Sequence, residues 1–215
     1  MNIAAIGEPK RISELKQVLS LGQSNVQVLE NTNNILESNF DVIFDLNFDD
    51  HLDRIDAYKN LNSETILCLS AIKIQLENTI PKSLWKQTIG INALPTFLNR
   101  NSLEYCSVEN INLDKLVPLG WQHFYKVESR VGMISARVIC MIINEAFFTL
   151  QEGTANRQDI DKGMKLGTAY AFGPFEWCEK IGIKNVYEVL DAMGNDTKDD
   201  RYKICSLLKT EYLKA

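Results

Sequence analysis

The chain has 215 residues, 45% of them hydrophobic and 24% charged, which suits one large or two small folded domains and excludes a disordered or low-complexity protein. A net charge of -5 leaves no basic surface for phosphate backbones, so we expect no nucleic-acid partner. The longest apolar run, 138–143, is flanked by Arg137 and Glu145 and is too short to cross a bilayer, so we expect no membrane partner.

Short β-prone runs alternate with helical segments in the first half of the chain. The runs lie at 3–6, 26–29, 41–46, 65–69 and 88–91. Between the first two, Ile12, Leu15 and Val18 share one helical face, and Gly22 is placed to end that helix. This alternation is typical of βαβ units with a parallel sheet. We therefore predict a shortened Rossmann-like α/β domain over residues 1–117.

Helical patterns replace the strands from Gly132 onward. Residues 133–150 carry apolar side chains on nearly every side, which indicates a helix that is buried all round or shared with a second subunit. Asn156, with Asp159 three residues later, predicts the start of the next helix. The predicted helices are 133–150, one from Asn156 to Gly167, one with Pro174 in its first turn, 184–193 and 200–213. They make an all-α domain over residues 118–215.

The cysteines indicate a reducing environment. They are odd in number, widely spaced and mostly in apolar surroundings, at Cys68, Cys106, Cys140, Cys178 and Cys205. This is typical of buried free thiols, and neither paired spacing nor a nearby histidine predicts a metal site. The apolar run at the N-terminus is also too short for a signal-peptide core. We therefore expect a cytoplasmic protein that binds no metal.

Several short motifs of the second half carry a resemblance to a known family. They are Val131 to Arg137, Asn144-Glu145-Ala146, Asp159-Ile160-Asp161, Lys165-Leu166-Gly167 and Gly173-Pro174-Phe175-Glu176. Together they resemble the helical C-terminal domain of the 3-hydroxyacyl-CoA dehydrogenases, and the first half is similar to that family's N-terminal domain in the order of its elements. The resemblance implies a Rossmann domain that binds NAD and a helical domain that closes over an acyl-CoA and forms a homodimer.

The loop after the first strand departs from the family pattern. A dinucleotide loop uses several glycines, because the backbone must turn tightly and approach the pyrophosphate at a helix N-terminus. Of these glycines only Gly7 remains, while Pro9 lacks an N–H donor and Glu8 adds a negative charge. Lys10 and Arg11 could bind phosphate through their side chains, or they could face solvent at a helix start. The loop argues against NAD binding in the usual mode.

Two acidic residues occupy places where the family's cofactor site has carboxylates. Glu30 ends the second strand, where an acid would accept the ribose hydroxyls, and Asp45 takes the place of a family glutamate after a later strand. Either could instead cap a strand end and face water. The resemblance therefore gives Gly7, Glu30 and Asp45 as cofactor-binding positions. The helical hairpin that follows the second strand in the family is largely missing between Glu30 and Phe40.

The position of the family's catalytic histidine, which takes the proton from the 3-hydroxyl, has changed. A predicted strand leads to Asn92 at this position, and Glu104 follows twelve residues later, where the orienting glutamate is expected. The family's serine falls near Ile72 by direct alignment, with Ser70 as a substitute, and its helix asparagine is Ala136. Asparagine can hydrogen-bond a carbonyl but cannot cycle a proton near neutral pH. The candidate catalytic residues are Asn92, Glu104 and Ser70.

These observations predict a 3-hydroxyacyl-CoA dehydrogenase-like protein of acyl-CoA metabolism in which NAD-dependent hydride transfer is weakened or lost. Binding of an acyl-CoA or of a partner enzyme is retained in this interpretation. Two alternatives stay open. One is an active NAD(P)-dependent oxidoreductase that uses Asn92, Glu104 and a bound water, with the nucleotide held by Lys10 and Arg11. The other is a non-catalytic module that dimerises through the helix at 133–150.

Overall fold

Seven strands form one sheet in the computed structural model, which describes residues 1–33, 35 and 39–215. The strands are β1 (Ile3–Ile6), β2 (Gln27–Val28), β3 (Val42–Asp45), β4 (Ile66–Ser70), β5 (Thr88–Ile91), β6 (Ser102–Cys106) and β7 (His123–Lys126). Their order is β2-β1-β3-β4-β5-β6-β7, and every neighbouring pair except β5 and β6 is parallel. The predicted Rossmann-like parallel sheet is confirmed. The segment from which the family's hairpin is missing includes Asn34 and residues 36–38, which lie outside the described residues.

All five strands predicted from the sequence are present, and β1 and β5 have the predicted bounds. The two further strands, β6 and β7, were not predicted. Only two residues of β6 are buried, and none of β7 is. Neither strand therefore shows the apolar alternation by which a strand is recognised in a sequence.

The first crossover helix, α1 (Pro9–Leu21), packs on the sheet through the predicted face. Ile12, Leu15 and Val18 are buried in one hydrophobic core with residues of β1, β3, β4 and β5. Pro9 fits the first helical turn, where an N–H group would have no partner within the helix. Gly22 follows the helix, and a Cβ there would lie 2.2 Å from the carbonyl oxygen of Pro118, so only glycine fits.

The α/β unit spans Met1–Met133 and also contains two short helices, α2 (Ile55–Tyr58) and α3 (Leu76–Thr79). The sequence placed the domain boundary after Val117, earlier than the structure does. Residues beyond that point stay with the sheet because β7 pairs with β6. In addition, the Gly132 N–H donates to the carbonyl oxygen of Ile72 at 2.6 Å.

The second unit, Ile134–Ala215, is helical in its described elements. The helices are α4 (Ser135–Gln151), α5 (Arg157–Thr168), α6 (Pro174–Ile181), α7 (Ile183–Thr197) and α8 (Ser206–Tyr212). Asn156 caps α5 as predicted, since its Oδ1 accepts from the Asp159 N–H at 3.0 Å. However, α5 ends at Thr168 and not at Gly167, and the next residue, Ala169, has a left-handed backbone conformation. The predicted helix at 200–213 is a 3-10 turn followed by α8.

Among the helices described here, none is both long enough and apolar enough to span a bilayer. The most apolar of them, α4, buries Ala136, Cys140, Ile143 and Phe147, while Val138 remains 50% exposed. The prediction that this helix is buried all round is therefore wrong for the described chain. The alternative prediction, a surface shared with a second subunit, is compatible with this exposure.

The motif Asn144-Glu145-Ala146 places a buried amide where the C-terminal segment crosses α4. Asn144 Nδ2 donates to the carbonyl oxygen of Lys203 at 2.9 Å, and its Oδ1 accepts from the Cys205 N–H at 2.9 Å. The single side chain therefore satisfies two backbone groups just before α8. This motif serves packing in the helical unit.

Two further motifs hydrogen-bond to each other at the start of α6. The carboxylate of Asp161 accepts from the N–H groups of Phe175 at 2.8 Å and Glu176 at 3.2 Å. Glu176 in turn accepts from the Gly173 N–H at 2.9 Å and pairs with Lys165. An acid at a helix N-terminus also complements the helix dipole. The Gly-Pro-Phe-Glu motif is thus a helix start that α5 holds in place.

Candidate functional site

The strand order places a topological switch point between β1 and β3, because β2 and β3, the next two strands along the chain, lie on opposite sides of β1. In open α/β sheets, ligands bind in the crevice outside the carboxyl ends of the strands at such a point. We call the space bordered by Gly7, Arg11 and Leu46 the switch-point crevice. Gly7 has a φ of +155°, and a Cβ on it would lie 2.8 Å from the Leu46 Cβ. Close packing of β1 against β3 therefore requires this glycine.

Arg11 is fully buried in the switch-point crevice, which neither interpretation of the sequence anticipated. Its Nη1 donates to the carbonyl oxygen of Leu46 at 2.5 Å, and its Nε lies 3.6 Å from the carboxylate of Glu8. Lys10, by contrast, is exposed. The sequence predicted that Arg11 either faces solvent or contacts a phosphate, and both predictions are wrong for the described structure. The side chain turns inward because the Leu46 carbonyl oxygen accepts a hydrogen bond from it.

The residues of this loop do not fit a dinucleotide pyrophosphate. Pro9 offers no N–H group at the start of α1, and Glu8 precedes it with a carboxylate. Ile12, where a small residue would allow close approach, belongs to the hydrophobic core. Gly7 alone keeps a backbone shape suited to such a ligand.

Glu30 and Asp45, the two acids predicted at cofactor-binding positions, lie in different surroundings. Glu30 is exposed after β2. Asp45 is fully buried at the end of β3, where its Oδ2 accepts from the Tyr58 hydroxyl at 2.7 Å and its Oδ1 from Arg54 at 2.9 Å. Desolvation raises the pKa of the Asp45 carboxyl, and burial likewise raises the pKa of the Tyr58 hydroxyl. Asp45 thus serves a polar cluster inside the α/β unit.

Ser70 ends β4, Asn92 follows β5, and Glu104 lies in the neighbouring strand β6. Ser70 is the last residue of β4 and pairs with Ile91 of β5, directly before Asn92. The Asn92 N–H donates to the carbonyl oxygen of Glu104 in β6 at 3.4 Å. The structure therefore brings the three predicted catalytic positions to one edge of the sheet. Their catalytic roles stay predictions.

Asn92 is 2% exposed, and its side chain has a local partner. Its Oδ1 accepts from the Leu94 N–H at 3.2 Å, which closes the turn after β5. Ser70 is fully buried, and its hydroxyl has no hydrogen-bond partner among the described residues. Ile72, the position given by direct alignment, is also buried, and its N–H donates to Asp49 at 3.0 Å. Of the two positions considered for the family's serine, only Ser70 carries a hydroxyl group.

Ala136 occupies the family's asparagine position in α4 and is fully buried within its surroundings. A methyl group neither donates nor accepts a hydrogen bond. Helix α4 is therefore present, but it carries no polar side chain at position 136.

The sequence reasoning missed a polar cluster beside the Asn92 turn. Both carboxylate oxygens of Glu14 in α1 lie 2.8 Å from the Thr96 N–H, and Arg100 Nε donates to the Thr96 carbonyl oxygen at 2.8 Å. Thr96 has a φ of +78°, an unusual conformation for a β-branched residue. The contact joins residues 82 positions apart, so no local spacing could have predicted it. Glu14 fixes the loop that follows Asn92.

Glu14→Gln is expected to change stability in a pH-dependent way. Burial raises the pKa of the Glu14 carboxyl, against the Thr96 N–H and nearby Lys10, which lower it. Because the folded-state pKa is the higher one, the carboxyl favours folding most at pH values below its unfolded pKa, and this contribution is lost as the pH rises through the folded pKa. The free energy of unfolding of Glu14→Gln relative to the wild type should therefore increase with pH across the acidic range and then level off. Denaturant melts between pH 3 and 7 measure it, with exposed Glu64→Gln as the control, and a constant difference would contradict the expectation.

The sequence comparisons with known proteins match the helical unit of the chain. Residues 132–214 match the family model of the 3-hydroxyacyl-CoA dehydrogenase C-terminal domain. The 3-hydroxyadipyl-CoA dehydrogenase of Escherichia coli (strain K12) is 40% identical over 82 residues, which are 38% of this chain and 17% of that protein. A probable 3-hydroxybutyryl-CoA dehydrogenase of Bacillus subtilis (strain 168) is 34% identical over 84 residues, 39% of this chain and 29% of that protein. The chain thus matches less than a third of the length of either curated relative.

Solved structures show the same fold over nearly the whole chain. The (S)-3-hydroxybutyryl-CoA dehydrogenase from Ralstonia eutropha superposes with a TM-score of 0.73 at 17% identity, covering 99% of this chain and 93% of that one. FadB2 from M. tuberculosis superposes with a TM-score of 0.76 at 11% identity, with the same coverage of 99% and 93%. The fold is a Rossmann-like unit followed by a helical unit, and residues 132–214 of that helical unit form a domain of the 3-hydroxyacyl-CoA dehydrogenase C-terminal type.

Proposed function

We propose that this protein binds an acyl-CoA thioester without oxidising it. The observation that carries the proposal is Asn92, a buried amide at the place of the family's proton-accepting histidine. Ser70 and Glu104 flank it on the neighbouring strands. The polar edge of the sheet is therefore kept while the group that would move a proton is missing.

The three side chains support recognition of a carbonyl group. The Ser70 hydroxyl has no partner among the described residues and can donate to a thioester or 3-keto oxygen. The amide of Asn92 also offers a donor, but it cannot take a proton near neutral pH. Glu104 then has no imidazole to orient. These side chains bind and position a carbonyl, and they supply no general base.

Homodimer formation through α4 is part of the proposal. Ile134 is 60% exposed and Val138 is 50% exposed at the start of this apolar helix. Apolar side chains on one exposed face suit a second copy of the same chain.

The five cysteines are all buried free thiols, which supports a reducing cytoplasm as the place where the protein acts.

Acetoacetyl-CoA tests the proposal directly. We expect it to raise the melting temperature of the full chain, since a ligand at a hundredfold excess over its Kd stabilises the folded state by about 2.7 kcal/mol. NADH absorbance at 340 nm should not fall when NADH and acetoacetyl-CoA are both present. Asn92→Ala and exposed Asn101→Ala form the variant and its control, and only the first should weaken binding.

Two results would reject the proposed function. Turnover of acetoacetyl-CoA with NADH would establish the active oxidoreductase instead. Absence of any response to acetoacetyl-CoA, together with a dimer in analytical ultracentrifugation, would establish a module that only dimerises.

A further inference from the structure

The carboxyl ends of β1 and β3 are joined by side-chain and backbone groups of the chain itself. The Leu46 N–H donates to the carbonyl oxygen of Ile6 at 2.8 Å, and the Leu46 carbonyl oxygen accepts from Arg11 Nη1 at 2.5 Å. Leu46 therefore uses both backbone groups across the switch-point crevice. Arg11 reaches it from the first turn of α1, where a dinucleotide loop would hold its ligand.

A second group of contacts covers the end of β3. Asp45 accepts from Tyr58 and Arg54, and Arg54 also donates to Asn47 Oδ1 at 2.8 Å. Tyr58 is fully buried, and its ring lies 6.4 Å from that of Phe48. The segment from Asn47 to Tyr58 thus folds back over the strand end and satisfies its carboxylate.

We propose that the switch-point crevice is a closed polar core, completed by Arg11 and by the Asp45 cluster, and that the α/β unit takes up no dinucleotide. This goes beyond the proposed function, which concerns the missing proton acceptor at Asn92. It is carried by different residues on different strands. A buried guanidinium and a buried carboxylate hold the two strand ends that elsewhere border a cofactor.

Electrostatics favours this closed arrangement over an exchangeable one. A buried charge is tolerated only when hydrogen bonds and counter-charges replace its water, and removing such a group leaves its partners unsatisfied. Arg11 has the Leu46 carbonyl oxygen and the Glu8 carboxylate close to it. A dinucleotide would have to displace Arg11 while meeting the negative charge of Glu8. Neither step is favourable.

Thermal melts of the full chain with 1 mM NADH or NADPH test the proposal. We expect no rise in the melting temperature of the wild type with either dinucleotide. Arg11→Met, which keeps an unbranched but shorter side chain and removes the charge, should lower the melting temperature by several degrees, and neither dinucleotide should restore it. Lys16→Met, at an exposed position of the same helix, is the control and should melt like the wild type.

Stabilisation of the wild type by NADH or NADPH would overturn the proposal, as would an Arg11→Met variant that melts like the wild type. Should Arg11→Met fail to fold, Tyr58→Phe provides a second variant, because it keeps the ring and removes only the hydroxyl that donates to Asp45. Its melting temperature should also fall and stay unaltered by NADH. Acetoacetyl-CoA, added separately, distinguishes the two proposals, since its binding tests the Asn92 site alone.

Discussion

Asp45→Ala is expected to destabilise the α/β unit by about 3–5 kcal/mol, the usual cost of removing one partner of a buried ion pair. The variant leaves the buried Tyr58 hydroxyl and the Arg54 guanidinium without the carboxylate that now accepts from both. The loss is large because the fully buried Tyr58 hydroxyl cannot turn to bulk water, whereas the Arg54 side chain is 17% exposed. Denaturant unfolding followed by circular dichroism measures it, and hydrogen exchange of β3 locates it.

Asp56→Ala is the matched control for this prediction. Asp56 also pairs with a cation, Lys59 at 2.5 Å, but the two side chains are 76% and 50% exposed. Exposed pairs of this kind contribute about 0–1 kcal/mol. Similar losses for Asp45→Ala and Asp56→Ala would show that the buried cluster adds nothing beyond a surface ion pair.

Gly173→Ala is expected to destabilise the helical unit by about 2–3 kcal/mol. A Cβ at this position would lie 2.3 to 2.4 Å from side-chain atoms of Asp161. Asp161 cannot move away without giving up its bonds to the N–H groups of Phe175 and Glu176. Overpacking and loss of a charged helix cap each cost on the order of 1–3 kcal/mol. Thermal and chemical denaturation of the full chain measure the change.

Gly163→Ala gives the matched comparison in the neighbouring helix. No atom of the described residues lies within 4 Å of a Cβ built on Gly163, which is inside α5. Alanine should therefore stabilise the unit by up to about 1 kcal/mol through its helix propensity. Equal effects of the two substitutions would refute the steric argument for Gly173.

The fold was predictable where local patterns coincide with burial. The strand at 88–91 is wholly buried, and its β-branched residues lie between polar Gln87 and Asn92, so the local sequence defines β5. β7 has no buried residue, and its place in the sheet depends on pairing with β6. Such pairing leaves no periodic signal in the sequence.

The candidate site was predictable in its positions but not in its environment. The family resemblance, with its spacing of twelve residues, gave Asn92 and Glu104 as related positions, and the structure places Asn92 beside Glu104 of β6. The orientation of Arg11 was not predictable, because the Leu46 carbonyl oxygen that it binds is 35 residues away. The hydrogen bond from the Thr96 N–H to Glu14 was not predictable either, because these residues are 82 positions apart. Long-range acceptors decide where a long polar side chain points.

The mutual capping of Asp161, Gly173 and Glu176 has a consequence for how relatives of this protein are recognised. The carboxylates of Asp161 and Glu176 bind backbone N–H groups of their own unit, so the fold of that unit depends on these motifs whatever the protein does. A match to those motifs therefore reports the fold of the helical unit and not a reaction.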